Sequence, residues 1–327
     1  MFANPVDLAN PVSYHQVQMP IFETRAQGKL LLTGEYFVLD GGTALAIPVR
    51  FGQRLHVEKG EAPGVLSWVS KNLDDSVWFQ AEFQLKSFQI LQASDETTAR
   101  TLAEILRACQ VQNPDFFLDH QSFSVLTQND FPREWGLGTS STLIAALARW
   151  VNIDPYKILF DTLGGSGYDI ACAYADGPIL YSLEAHEPLV EPVEFAPDFL
   201  DNLYFVFLGN KQNSREGIAR YRDRASKNPA IIEKVSQLTQ QFLCAKTLTE
   251  FDAVLVEHEM LVSETIGLPR AKDLYFTDFW GEIKSLGAWG GDFVLVSSGR
   301  SGEETKAYFL EKGFEVFLGY EEILESS

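Results

Sequence analysis

Two glycines and three hydroxyl residues stand together in "EWGLGTSSTLIAALARW", where Gly136, Leu137, Gly138, Thr139, Ser140 and Ser141 lead straight into an apolar stretch with helical spacing. The first turn of a helix leaves its amides unpaired, and those amides together with the helix dipole attract an anion without any basic side chain. Gly136 and Gly138 would let the backbone approach such an anion closely. No basic residue follows until Arg149. A Ser/Thr N-cap after a glycine turn would produce the same letters, so the stretch alone leaves both readings open. The Gly-Lys-[Ser/Thr] ending of a P-loop is absent, as are the HRD and DFG motifs of protein kinases.

Composition limits what this stretch can serve. A chain of 327 residues is long enough for two domains, and 46% hydrophobic with 22% charged residues is ordinary for a globular protein. The net charge of −19 argues against nucleic acid or an anionic membrane as partner, while leaving room for a small anionic ligand in a locally positive pocket. The partner expected is therefore a small molecule, with the protein itself a monomer or homodimer. Cys109, Cys172 and Cys244 are far apart, form no metal-ligand spacing and point to a reducing, cytoplasmic setting. No apolar run approaches the roughly 18 residues that span a bilayer. Residues 1–24 hold no Lys or Arg and no long apolar block, unlike a secretory signal. With Pro5, Pro11 and Pro20, residues 1–21 read as a flexible tail in which Met19 is an alternative start.

From Phe22 the pattern is that of a folded protein. "KLLLTGEYFVLDGGTALAIPVRFGQRLHVE" alternates apolar runs with turn signals at Gly34, Gly41 and Gly42, predicting two or three strands, and β-rich sequence continues through Trp78 and Phe83. Residues 95–110 have helical spacing with Asp95 as N-cap, and a strand near 123–126 precedes the glycine loop. "PYKILFDTL" predicts a short helix before "GGSGYDIACAYADGPILYSL". The composition changes at Pro188, Pro192 and Pro197, and a strand at "NLYFVFLG", several amphipathic helices and a strand–helix–strand ending follow. The order predicts a mixed α+β protein in two parts, 22–190 and 191–327.

Three glycine-rich stretches occur in order: "GKLLLTGEYFVLDGG", "GLGTSS" and "GAWGGDF". Together they resemble the signature motifs of the GHMP kinases, the family of galactokinase, homoserine kinase, mevalonate kinase and phosphomevalonate kinase. Residues 132–140 meet the middle motif, P-x-x-x-G-L-G-[ST]-S, in full, and "GYDIA" resembles a bacterial subgroup of the family. The resemblance spans about residues 28–293. It implies an N-terminal α/β domain of ribosomal-protein type with a left-handed βαβ crossover, a C-terminal ferredoxin-like domain, and ATP with Mg²⁺ in the cleft between them.

Roles follow position by position from the same resemblance. Residues 136–141 would wrap the nucleotide phosphates, and Ser140 matches the serine that reaches Mg²⁺. Lys29 matches the first-motif lysine near the transferred phosphate. Asp169, in "GGSGYDIA", matches the aspartate that mevalonate and phosphomevalonate kinases carry in a Ser-Gly-x-Asp context, and would accept the hydroxyl proton; a plain N-cap is the other reading. Glu35 and Tyr36 continue the first motif as weaker substrate contacts. Lys211, Ser214 and Arg215 lie in a stretch that resembles the family's post-strand loop near the substrate, where they would hold an anionic acceptor, an ordinary basic helix start being the other reading; Gly290 lies in the third motif, where Trp289 replaces a small residue and either caps the cleft or packs. Asp292 reads as a turn residue. The glutamate that binds metal in mevalonate kinase has no counterpart in the short helix at 155–163, where Asp154 and Asp161 are the nearest acids. "GEY-x-VL" is closer to phosphomevalonate kinases, so a mevalonate-type acceptor is expected. A diphosphomevalonate decarboxylase, a sugar or homoserine kinase, and a noncatalytic binding protein of the same fold are the alternatives.

Overall fold

The computed structural model describes residues 20–209, 214–224, 228–289 and 292–324. The N-terminal part opens with strands β1 (Phe22–Leu31) and β2 (Ala44–Lys59), then β3 (Val65–Lys71), β4 (Val77–Gln84), β5 (Gln89–Ala93), helix α1 (Glu96–Gln112) and β6 (Phe123–Asn129). Helices α2 (Thr139–Val151), α3 (Pro155–Thr162) and α4 (Tyr168–Tyr174) follow, and β7 (Ile179–Glu184) and β8 (Glu187–Pro192) complete the sheet. Its order is β5-β4-β3-β6-β2-β7-β8, with β1 paired to β2 off this path.

Most neighbours are antiparallel, but β3 and β6 run parallel, which a hairpin alone cannot connect. Strands β4 and β5 and helix α1 fill that connection. Asp95 caps α1 by accepting the Thr98 amide at 2.7 Å, and Ala99, Leu102, Ala103, Leu106 and Cys109 form its buried stripe.

The predicted strand pair at the start is interrupted by a 3-10 turn, Phe37–Asp40, because the chain reverses at Gly34 and Tyr36, both of positive φ. The β1–β2 register also slips between Gln27 and Lys29. A Cβ on Gly28 would lie 2.7 Å from the Leu137 carbonyl oxygen, and the Lys29 amide donates to that same oxygen at 3.0 Å. The bulge therefore fastens the glycine loop to β1 and places Lys29 beside it.

The C-terminal part begins with β9 (Leu203–Phe207), an almost wholly buried apolar run. Helices α5 (Ser214–Arg224), α6 (Pro229–Cys244), α7 (Leu248–Ile266) and α8 (Ala271–Tyr275) come next, then β10 (Glu282–Ser285), β11 (Phe293–Ser297), α9 (Gly302–Glu311), β12 (Phe317–Gly319) and α10 (Tyr320–Leu324). The antiparallel order β10-β11-β9-β12 is the ferredoxin-like βαββαβ arrangement. The first sheet runs past residue 190, to Pro192, and β8 tolerates its prolines because it is an edge strand.

Leu30, Leu45, Val49 and Leu137 pack in one buried cluster with Phe205, Phe242, Phe251 and Leu295, so the two parts share a core where they meet. Among the described residues no helix is long and apolar enough to cross a membrane.

Candidate active site

A cleft of about 260 Å³ opens where the two parts meet. Its walls come from Lys29 on β1, Tyr36 in the following turn, the loop before α2, the α3–α4 link, and Gly287, Ala288 and Asp292 from the C-terminal part. Trp135 anchors the loop by edge-to-face contacts with Phe51 at 5.2 Å and Phe293 at 5.7 Å. Gly136 (φ 68°) and Gly138 (φ 97°) are both left-handed. A Cβ at Gly136 would sit 2.9 Å from the Asp292 carboxylate, and one at Gly138 would lie 3.4 Å from Cε of Lys29. Gly138 is the N-cap of α2 and offers no side chain to its amides. The Ser/Thr-cap reading of the loop is thereby replaced: the helix starts on a bare glycine facing the cleft.

Lys29 donates from Nζ to the Gly136 carbonyl at 3.2 Å and lies 5.6 Å from the ring centre of Tyr168. Burial works against its charge, but Tyr168, Asp169 and Asp292 together hold its pKa above the ordinary lysine value. Burial pushes the Tyr168 phenol up to about 12 against the opposing pull of Lys29, so it remains neutral. Asp169 stands in the first turn of α4, whose N-cap is Gly167, so the N-cap reading of Asp169 does not hold. Its Oδ2 instead accepts a hydrogen bond from the buried Ser141 hydroxyl.

No protein-family model matches the chain, and no curated protein matches it in sequence. Solved structures do match over most of its length. Mevalonate kinase from L. major, determined with R-mevalonate, superposes with a TM-score of 0.63 at 16% identity, covering 90% of this chain and 94% of its own. Phosphomevalonate kinase from Streptococcus pneumoniae, in complex with phosphomevalonate and AMPPNP, gives 0.67 at 16% identity over 91% and 100%. Lactococcus lactis galactokinase, with galactose, gives 0.61 at 13% over 91% and 92%. The chain has the GHMP kinase fold.

Of the residues the sequence singled out, the GHMP fold brings Lys29, Tyr36, Gly136, Gly138, Thr139, Ser140, Ser141 and Asp169 to one cleft. Leu137 is fully buried behind it. Glu35 needs correction as a substrate contact. It is 1% exposed, does not line the cleft, and binds Lys284 in the interior. Trp289 packs at 3% exposure with Tyr36 and Tyr221 and does not cap the cleft. Ser214 and Arg215 open α5, but their side chains lie outside the described residues, as do Lys211 and Gly290.

Asp154 caps α3 by accepting the Tyr156 amide at 2.9 Å, and neither it nor Asp161 lines the cleft. Among the described residues, the carboxylates that do are Asp169 and Asp292. Asp292 is therefore more than a turn residue. Tyr168 and the Ser141–Asp169 bond were the other features missed, although the aromatic beside Asp169 in "GYDIA" was a visible signal.

A nucleotide phosphate fits the uncapped start of α2, where a glycine leaves the space above Lys29 open. Mg²⁺ suits hard oxygen donors and commonly takes few protein ligands, so the Ser140 hydroxyl and the two cleft carboxylates fit it as well. Among the described residues no group of three His, Cys, Asp or Glu forms a metal cluster.

Behind the cleft lies a wholly buried ionisable group. Lys284 donates to Glu35 and to the Ser285 carbonyl at 3.0 Å. His258 Nε2 accepts the Gly34 amide at 3.0 Å and lies 3.6 Å from Glu35, and Glu259 accepts the Ser285 amide at 2.9 Å. Burial, with Lys284 adding to it, holds His258 neutral, well below its usual range. Burial also raises Glu259 from 4.5 to about 7, against the pull of Lys284.

The folded chain thus keeps a proton on Glu259 that the unfolded chain releases, and stability falls as pH rises from about 4.5 to about 7. Glu259→Gln still accepts the Ser285 amide and has no proton to lose. The melting temperature of this variant relative to the parent should rise between about pH 5 and pH 7. A difference that stays flat with pH would show that Glu259 ionises normally in the folded chain.

Proposed function

We propose that the protein is an ATP- and Mg²⁺-dependent kinase that phosphorylates the hydroxyl or phosphate group of a mevalonate-type acceptor. The observation that carries this reading is the convergence of Lys29, Asp169 and the uncapped start of α2 on one cleft. Bound ATP supplies the phosphoryl group, and Mg²⁺ the neutralisation of its charge; residues 138–141 and Ser140 are the groups that would hold them. The amides of the first α2 turn bind an anion. Asp169, fixed by Ser141, accepts the proton of the attacking hydroxyl, and the Lys29 ammonium stabilises the oxygen left behind.

The choice of acceptor rests on the apolar part of the cleft lining. Leu31, Val38, Leu39, Leu159, Leu163 and Ile218 contribute aliphatic surface to it among the described residues, which suits a methyl-bearing carbon chain better than the hydroxyls of a sugar. The pneumococcal structure with phosphomevalonate and AMPPNP supports the same class.

A coupled ADP-release screen over mevalonate, phosphomevalonate, homoserine and galactose, with CO₂ monitored, tests this. The expected result is acceptor-dependent ADP release with mevalonate or phosphomevalonate and no CO₂. Release of CO₂ would make the protein a decarboxylase, and turnover of galactose or homoserine would move the acceptor class. No ADP release from any acceptor, with no thermal stabilisation by Mg·ATP, would overturn the kinase reading.

A further inference from the structure

Glu35, Lys284, His258 and Glu259 are each at most 1% exposed, and no step of the proposed reaction uses them. They come from three places: the turn after β1, strand β10 and helix α7. Adjacent residues of α7 divide the work. His258 holds the Gly34 amide in the turn, and Glu259 holds the Ser285 amide on β10. Lys284, next to Ser285, closes the triangle onto Glu35.

What these elements lead to matters. The turn continues into Tyr36, which lines the cleft. Strand β10 continues through Leu286, whose amide donates to Phe293 at 3.1 Å, into the segment bearing Gly287, Ala288 and Asp292. Asp292 in turn faces Gly136 and acts on Lys29.

Stability alone is a poor account of four buried ionisable groups. Well-packed apolar side chains of similar volume commonly serve as well or better, whereas removing one partner of a buried pair is costly. An apolar contact tolerates sliding; an ammonium held by one carboxylate and one carbonyl does not. We propose that the Glu35–Lys284 pair, braced by His258 and Glu259, is a positioning device that fixes residues 286–289 after β10, and thereby the side of the cleft from which Asp292 faces Lys29 and the glycine loop. Its catalytic consequence rests on the kinase reading; its structural consequence does not.

The test compares the parent with Glu35→Met/Lys284→Met, which replaces both partners by apolar side chains of similar size. The melting temperature should remain within about 3 °C of the parent. Hydrogen exchange of the 286–289 amides should rise at least about tenfold, since the segment keeps its neighbours but loses its register. On the acceptor found by the screen, kcat should fall at least about tenfold with KM little changed, as expected when reacting groups are misplaced by a fraction of an ångström.

Parental exchange in a folded double variant would overturn the device. Raised exchange with no kinase activity in the parent would leave it standing while the kinase reading fails. If the double variant does not fold, Glu35→Asp decides. That variant keeps the carboxyl group but withdraws it by one methylene, so exchange of 286–289 should rise several-fold, and parental exchange would overturn the proposal.

Discussion

Asp169→Asn should lower turnover by roughly 100- to 10,000-fold, the range typical of a positioned acid–base group, while leaving Mg·ATP affinity within a few-fold of the parent. The prediction follows from where the carboxylate stands. It shares the cleft with Lys29 and the start of α2, and Ser141 donates to its Oδ2. An asparagine of almost the same size can still accept that hydrogen bond through its carbonyl oxygen, so the turn before α4 should persist. What it cannot do is take a proton from an attacking hydroxyl. Turnover and nucleotide affinity measured on one preparation separate the outcomes. Near-parental turnover on the identified acceptor would remove Asp169 from the chemistry, and joint loss of affinity and melting temperature would make it a structural support of the glycine loop.

Gly138→Val should abolish stabilisation by Mg·ATP. At 100 times its dissociation constant, a ligand that binds the folded state alone contributes about 2.7 kcal/mol, and the variant should gain none of this at the same concentration. Two effects coincide at this position. With φ at 97°, the backbone conformation is one that a β-branched residue rarely adopts, at a cost on the order of 1–3 kcal/mol. The side chain would also start 3.4 Å from Cε of Lys29 and fill the space in front of the α2 amides.

Strain lowers the melting temperature with and without nucleotide alike; occupation of the anion's space removes the increment between them. Gly138→Ala shares the strained backbone but adds one methyl, and should keep part of the increment. If Gly138→Val loses stability but keeps the whole increment, the loop does not cradle the phosphates.

The residues legible in the sequence were those whose job depends on near neighbours in the chain. Gly136, Gly138 and Ser140 lie within five positions of one another, and the helix they open is periodic enough to read directly. Asp95 capping α1 is local in the same sense. The strands followed from apolar runs, and the ferredoxin-like order from what the resemblance of three ordered motifs implied.

Glu35 shows where such reading stops. It stands next to Tyr36 in a motif, but its partner Lys284 is 249 positions away and His258 is 224 positions from Gly34, so nothing near it in the chain marks it as interior. Asp292 was taken for a turn residue for the same reason: its neighbour in space is Gly136, contributed by the other half. Ser141 was grouped with the phosphate loop because it follows Ser140; one step along a helix turns a side chain by about 100°, and here that brings its hydroxyl onto Asp169 within the same cleft.

The core shared by Leu30, Leu45, Val49 and Leu137 with Phe205, Phe242, Phe251 and Leu295 bears on how the molecule comes apart. Each part has a cluster of its own: one between α1, α2 and the first sheet, the other under β9, β11 and α9. The third cluster closes only when both are in place, and the cleft lies along its margin. Excising either part would bare this apolar surface to water, inviting aggregation, and would dismantle the site with it. Synthesis from the N-terminus therefore passes through a stage at which the glycine loop exists without the surface that supports it. Strand β12 and the α10 residues Tyr320 and Ile323 complete that surface, so the glycine loop gains its full support only once residues far downstream of it have folded.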